Sequence, residues 1–200
     1  MKNAIILHGT GCNPNSFWQP SIKKFLESKG YSVWVPQLPD ADKPDLKKWL
    51  PFVLKDGVFS NETILIGHSA GGPLVLSVLQ NINVTVHKAI LVAGYARPKS
   101  EKKESEPILQ NDYDWPKIKG NVRDIIFINS DNDPWGCDHK EALYMFEHLG
   151  GTLIIREGEG HMGSDSFKQP YTRFPLLEKL LDLKFSRPVI DDSGKTMEER

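Results

Sequence analysis

Short apolar runs closed by glycine, proline or polar turn residues recur along the chain, at 4–7 (AIIL), 31–35 (YSVWV), 63–66 (TILI), 89–92 (AILV), 124–128 (DIIFI) and 152–156 (TLIIR). Each reads as a β-strand. Between them, residues 21–28, 46–54, 73–79, 139–148 and 175–183 carry apolar positions three and four apart, the spacing of one helix face. Strand and helix therefore alternate, which predicts an α/β fold: a parallel sheet of about six strands in a three-layer α/β/α arrangement. Runs such as AIILHG, TILIGH and KAILVAG are apolar at consecutive positions, so both strand faces are expected to be covered by helices. Ligands of such sheets bind beyond the carboxyl ends of the strands.

Two stretches break the alternation. Within 96–120, the charged run 99–106 reads as a solvated loop, and 107–116, with Tyr113 and Trp115, is a candidate for a small lid. From Ser186 onward the chain is polar and aperiodic, so a single domain is expected over 1–185 and a poorly ordered tail over 186–200.

The length, 200 residues, suits one domain with a substantial core. Twenty-five lysines and arginines are interspersed with 26 acids for a net charge of −1, which gives no basic footprint for nucleic acid or an anionic membrane. A small or neutral substrate is expected instead. The apolar run after Met1-Lys2-Asn3 is too short for a signal peptide or a spanning helix, so the expected location is cytoplasmic. Cys12 and Cys137 are then expected to be free thiols. No HExxH, paired CxxC or GxxxxGK[ST] run is present, and GTGCNP lacks the spacing of a dinucleotide fingerprint, so no metal or other cofactor is implied.

One motif carries chemistry. GHSAG follows the apolar run 63–66 and precedes a helix, the context of a nucleophile elbow. Such a turn holds Ser69 in a strained conformation above the sheet edge, and side chains two positions on either side would collide, hence Gly67 and Gly71. The Ala70 N–H, at a helix N-terminus, becomes a candidate oxyanion donor. GxSxG alone is also an ordinary strand-to-helix turn, so the other strand ends decide.

The strand near Asn129 runs into SDNDPW and the last strand into EGEGHMGSD, which gives serine, aspartate and histidine in that chain order at one sheet edge. His161 is the candidate base. His139 and His148 read as helix-surface residues, His87 as a loop residue, and His8 as packing under the first loop. Among the nearby acids Asp133 is favoured, because Pro134 restricts its backbone, while Asp131 reads as turn-forming and Asp138 as a helix N-cap. The first strand ends in LHGTGCNP, whose Thr10 or Gly11 N–H is the candidate second oxyanion donor. His68 and Trp135 complete the candidate substrate-facing set. Trp18 and Trp115 read as core residues that would otherwise line an acyl pocket, and Cys12 as a bystander.

Taken together, HGTGCNPNSFWQP, GYSVWVPQLP, LIGHSAGG, NDYDWPKIKG, SDNDPWG and GEGHMG resemble the small α/β-hydrolases related to retinoblastoma-binding protein 9. The resemblance implies a compact α/β-hydrolase with a minimal lid, Ser69, Asp133 and His161 as triad, and an oxyanion hole near Thr10 and Ala70. The expected activity is hydrolysis of a small ester, thioester or amide through an acyl-enzyme, with a small-molecule acyl substrate as partner. The alternatives are a protein-binding module on the same fold and a peptidase; serine at the elbow argues against haloalkane chemistry, which resembles an aspartate-nucleophile pattern.

Overall fold

A computed structural model describes residues 2–98 and 106–183, together with the backbone of 189–190 and 196–197. Six strands, β1 (Asn3–Leu7), β2 (Ser32–Trp34), β3 (Thr63–His68), β4 (Val86–Val92), β5 (Val122–Ser130) and β6 (Thr152–Arg156), form one parallel sheet in the order β2-β1-β3-β4-β5-β6. All six predicted strands are present. The helices are α1 (Gln19–Ser28), α2 (Leu46–Asp56), α3 (Gly71–Asn81), α4 (Trp115–Gly120), α5 (His139–Leu149) and α6 (Pro175–Asp182).

The period-two alternation of each strand divides the core in two. Ile5, Leu7, Leu65, Ala89, Leu91, Ile125 and Phe127 face α2, α3, α4 and α5, whereas Ala4, Ile6, Ile64, Ile66, Ile90, Val92, Ile126 and Ile128 face α1 and α6. Both faces are covered, which is why the strands read as continuous apolar runs. The β3–α3 unit at the centre is the most enclosed, with every residue from Thr63 to Leu79 buried.

Three sequence expectations are corrected here. Helix α4 was not foreseen, although Asp114, whose carboxylate accepts from the Lys117 N–H at 3.0 Å, and Pro116 in the first turn are ordinary start signals. His87 belongs to β4 and not to a loop. Tyr113 and Trp115 do not form a lid: Tyr113 is buried and stacks on Trp115, which packs in turn on Tyr144 and His148 of α5. Of the charged run 99–106, only Glu106 lies within the described residues. In the segment read as a polar tail, Val189–Ile190 and Thr196–Met197 pair antiparallel, and its other residues lie outside the described set.

A buried cation ties the last helix to the sheet. Lys88 of β4 is 1% exposed, donates to the carbonyls of Leu180 and Leu183 at 2.9 and 2.8 Å, and faces Asp124 at 3.6 Å. Such a charge is tolerated in the interior only with partners of this kind.

Candidate active site

The chain crosses the sheet between β1 and β3, and the loops leaving the carboxyl ends of these two strands diverge at that point. Ser69 follows β3 directly with φ of +53°, a left-handed conformation rare for a residue with a side chain. Its N–H donates to the Val92 carbonyl at 3.0 Å and its carbonyl accepts from Gly72 N–H at 2.8 Å, so the strain is held from both sides. The turn requires its glycines: a Cβ at 67 would lie 2.3 Å from the Gly71 oxygen, and one at 71 would lie 2.2 Å from the Leu7 oxygen.

Gly9, which the motif reading passed over, matters as much. A Cβ there would sit 2.8 Å from the Ser69 Cβ, so the backbone of the first loop runs directly against the serine. Thr10, Gly11 and Cys12 continue along the same cleft wall. Gly11 donates its N–H to the Ala41 carbonyl at 2.9 Å, so it is spent on pinning the loop and is removed from the candidate oxyanion donors. His8 lies beneath, fully buried: its Nδ1–H donates to the Gly9 carbonyl at 2.9 Å and its Nε2 accepts from Leu38 N–H at 3.1 Å. Burial pushes the Cys12 thiol pKa up, the opposite of an activated cysteine.

Asp133 and His161 meet across the loops that follow β5 and β6, with Oδ2 and Nδ1 2.7 Å apart and both residues buried. A carboxylate at Nδ1 selects the tautomer with its proton on that nitrogen, which leaves Nε2 as an acceptor. The other Asp133 oxygen accepts from Trp135 N–H at 2.8 Å. Its neighbours have different partners. Asp138 caps α5 through Lys140 N–H at 2.8 Å, and Asp131 accepts from Gly158 N–H at 2.8 Å.

That last bond is one of several that stitch the two loops together. Glu159 N–H donates to Ser130 Oγ at 3.0 Å and Gly160 N–H to Asn132 Oδ1 at 2.8 Å, while within the histidine loop itself His161 N–H donates to Gln169 Oε1 at 2.9 Å. The acidic loop thereby carries the backbone of the histidine loop. Asn132→Ala, which removes the acceptor for Gly160 N–H and so the tie between the residues immediately preceding Asp133 and His161, is expected to lower kcat about tenfold with little change in KM, because misplacement by about 1 Å costs up to 10²-fold. Asn132→Asp keeps an acceptor and is expected to restore most of the rate. Steady-state kinetics on one ester checks both.

His68, inside the elbow, is buried and lies 5.0 Å from the His161 ring, centroid to centroid. Its Nε2–H donates to the His161 carbonyl at 3.0 Å, so it supports that residue's backbone while its ring forms part of the cleft wall. Burial first, and the neighbouring His161 second, push its pKa down to about 3. The unfolded chain, with histidine near ~6.5, then binds a proton that the folded one refuses. Stability from this group is complete above that value and falls as pH drops toward about 3. The unfolding free energy is expected to decline by about 1.4 kcal/mol per pH unit from His68 alone below pH ~6, and His68→Asn to lose that increment of slope. Urea melts between pH 7 and pH 4.5 read it out.

Ser69, His68, His161, Thr10 and Trp135 converge on one cleft of about 450 Å³. Phe17, Gly163, Ser164 and Asp165 also contribute to its walls. Trp135 is 47% exposed there, whereas Trp18 is fully buried and donates its indole N–H to the Met162 carbonyl at 3.0 Å. Among the described residues, one set of side chains has the spacing of a metal site: Asp133, Cys137 and His161, with candidate donor atoms within 4.8 Å of one another. Two of the three already share a proton, so a metal there would displace it.

A parallel sheet with a strained serine after its central strand, and an acid and a histidine paired after later strands, defines an α/β-hydrolase. The chain belongs to the Serine hydrolase family, whose model matches residues 4–182. It is 26% identical over 170 residues to serine hydrolase RBBP9 of Rattus norvegicus, covering 83% of this chain and 90% of that one. Its fold is similar to that of the ydeN gene product of B. subtilis, with a TM-score of 0.81 at 23% identity over 90% of this chain and 97% of that one. It is also similar to Est1E of Butyrivibrio proteoclasticus, solved with ferulic acid, with a TM-score of 0.63 at 13% identity over 91% and 90% of the two chains. No helix among the described residues is long and apolar enough to cross a membrane.

Proposed function

We propose that this serine hydrolase cleaves small esters, thioesters or amides through an acyl-enzyme on Ser69. The observation that carries the reading is the buried 2.7 Å pair of Asp133 and His161 in the cleft that holds the strained Ser69. His161 Nε2 takes the hydroxyl proton as Oγ bonds to the carbonyl carbon, and returns it to the leaving oxygen, sulfur or nitrogen as that bond breaks. Water, deprotonated by the same imidazole, then releases the acid. Thr10 and Ala70 N–H groups receive the oxyanion, since the described hydrogen bonds engage neither. A cleft of about 450 Å³ suits short acyl groups, at the small end of ligand pockets.

The test is a fluorophosphonate probe, which reports an activated serine without the natural substrate. Mass spectrometry of the digested adduct should place the label on the peptide containing Ser69. Folded protein that resists the probe and turns over no ester would overturn the assignment.

A further inference from the structure

The carboxylates around the reaction centre differ in one respect. Asp131, Asp133 and Asp138 each accept a backbone N–H, and Asp133 holds His161 as well. Asp165, four residues beyond His161, is exposed, lines the cleft, and among the described residues forms neither an ion pair nor a side-chain hydrogen bond. Among the described residues it is the one Asp, Glu, Lys or Arg that lines the cleft wall. Its charge reaches the Cys12 thiol, which lines the same cleft, and adds to the burial that pushes that thiol's pKa up.

The surroundings of this carboxylate are aromatic. Trp135 and Phe167, both 47% exposed, pack edge to face with centroids 5.2 Å apart, and the indole N–H donates to Ser164 Oγ at 3.3 Å. Phe17 lines the cleft with Trp135, and Phe167 backs Trp135 from outside the lining. An unpaired carboxylate beside aromatic rings attracts cations, through its charge and through the negative ring faces, and repels anions. Among the described residues no lysine or arginine lines the wall to reverse that preference.

From this we infer that the cleft selects acyl compounds bearing a positively charged amine or quaternary ammonium close to the scissile carbonyl, with Asp165 as the residue that sets the preference. The inference rests on the serine hydrolase reading above. Because Asp165 is exposed, its field is screened by water and salt, and discrimination of about tenfold in kcat/KM is expected, the worth of ~1.4 kcal/mol.

The experiment compares isosteric pairs differing only in charge. Acetylthiocholine against S-(3,3-dimethylbutyl) thioacetate places the cation on the leaving group; a β-alanyl thioester against the butyryl thioester of the same thiol places it on the acyl group. Wild type should favour the cationic member of at least one pair about tenfold, less at 0.5 M salt. Asp165→Asn should bring that ratio close to one, and Asp165→Lys should invert it. Ratios near one in wild type for both pairs, or a ratio unmoved by Asp165→Asn, overturn the inference. If the neutral esters are still hydrolysed and Ser69 still takes the fluorophosphonate, the charge preference alone has failed. If neither occurs, the hydrolase assignment has failed with it.

Discussion

Ser69→Ala is expected to lower kcat for ester hydrolysis by about 10⁶-fold while leaving the urea midpoint within a few tenths of a molar of wild type. Alanine keeps Cβ, and Ser69 Oγ makes no hydrogen bond on which the described fold depends. The backbone strain at φ +53° stays as it is. What disappears is the atom that bonds to the carbonyl carbon, and no neighbour replaces it: the Cys12 thiol lies along the same wall with its pKa raised by burial. A residual rate within tenfold of wild type would mean that another group attacks, and the proposed mechanism would be wrong.

Asp133→Asn is expected to cost about 10⁴-fold in kcat with the fold intact. The amide is nearly isosteric, and its oxygen can still accept the Trp135 N–H. Its nitrogen, however, presents a donor to His161 Nδ1, and the ring answers by moving its proton to Nε2. The imidazole is then oriented correctly in the wrong tautomer, unable to take the Ser69 proton. Measuring kcat for Asp133→Asn beside Asp131→Asn separates the two acids, because Asp131 contacts the Gly158 N–H and not the imidazole. Equal losses in both would assign the effect to loop structure and not to proton transfer.

The fold was legible because its strands are buried on both faces, so each appears as a short uninterrupted apolar run. Legibility failed where a polar residue has a distant partner. β4 begins at Val86, ahead of the expected start at 89, because His87 and Lys88 interrupt the apolar pattern. Lys88 is accommodated by carbonyls of Leu180 and Leu183, more than ninety positions away. Tyr113 and Trp115 stay open between lid and core in the sequence for a related reason: an aromatic-rich segment has the same composition whether it shields a cleft or packs on a helix.

At the candidate site, the juxtaposition of Ser69, Asp133 and His161 could be anticipated because each follows a strand and carries a local signal, glycines around Ser69, Pro134 after Asp133, and glycines around His161. Gly9 was not, since its constraint is the approach of two backbones sixty residues apart. Nor were Asn132, Ser130 and Gln169. The first two act on the backbone of another loop and Gln169 on backbone eight residues back in its own, and nothing in their immediate neighbourhood marks that use.

The loop after β6 has a waist. Ser164 and Gln169 exchange two backbone hydrogen bonds, at 3.0 and 2.8 Å, and so close off the four residues between them. Everything that seats His161 lies at or before this waist, including Gln169 itself. Beyond it project Asp165, Ser166, Phe167 and Lys168, which include the carboxylate inferred to set the charge preference and make none of the described hydrogen bonds to His161. On the proposed reading, the seat of the base and the carboxylate that selects substrate are thus separable parts of one loop, and single substitutions at the tip should change substrate preference while the Asp133–His161 pair stays in place.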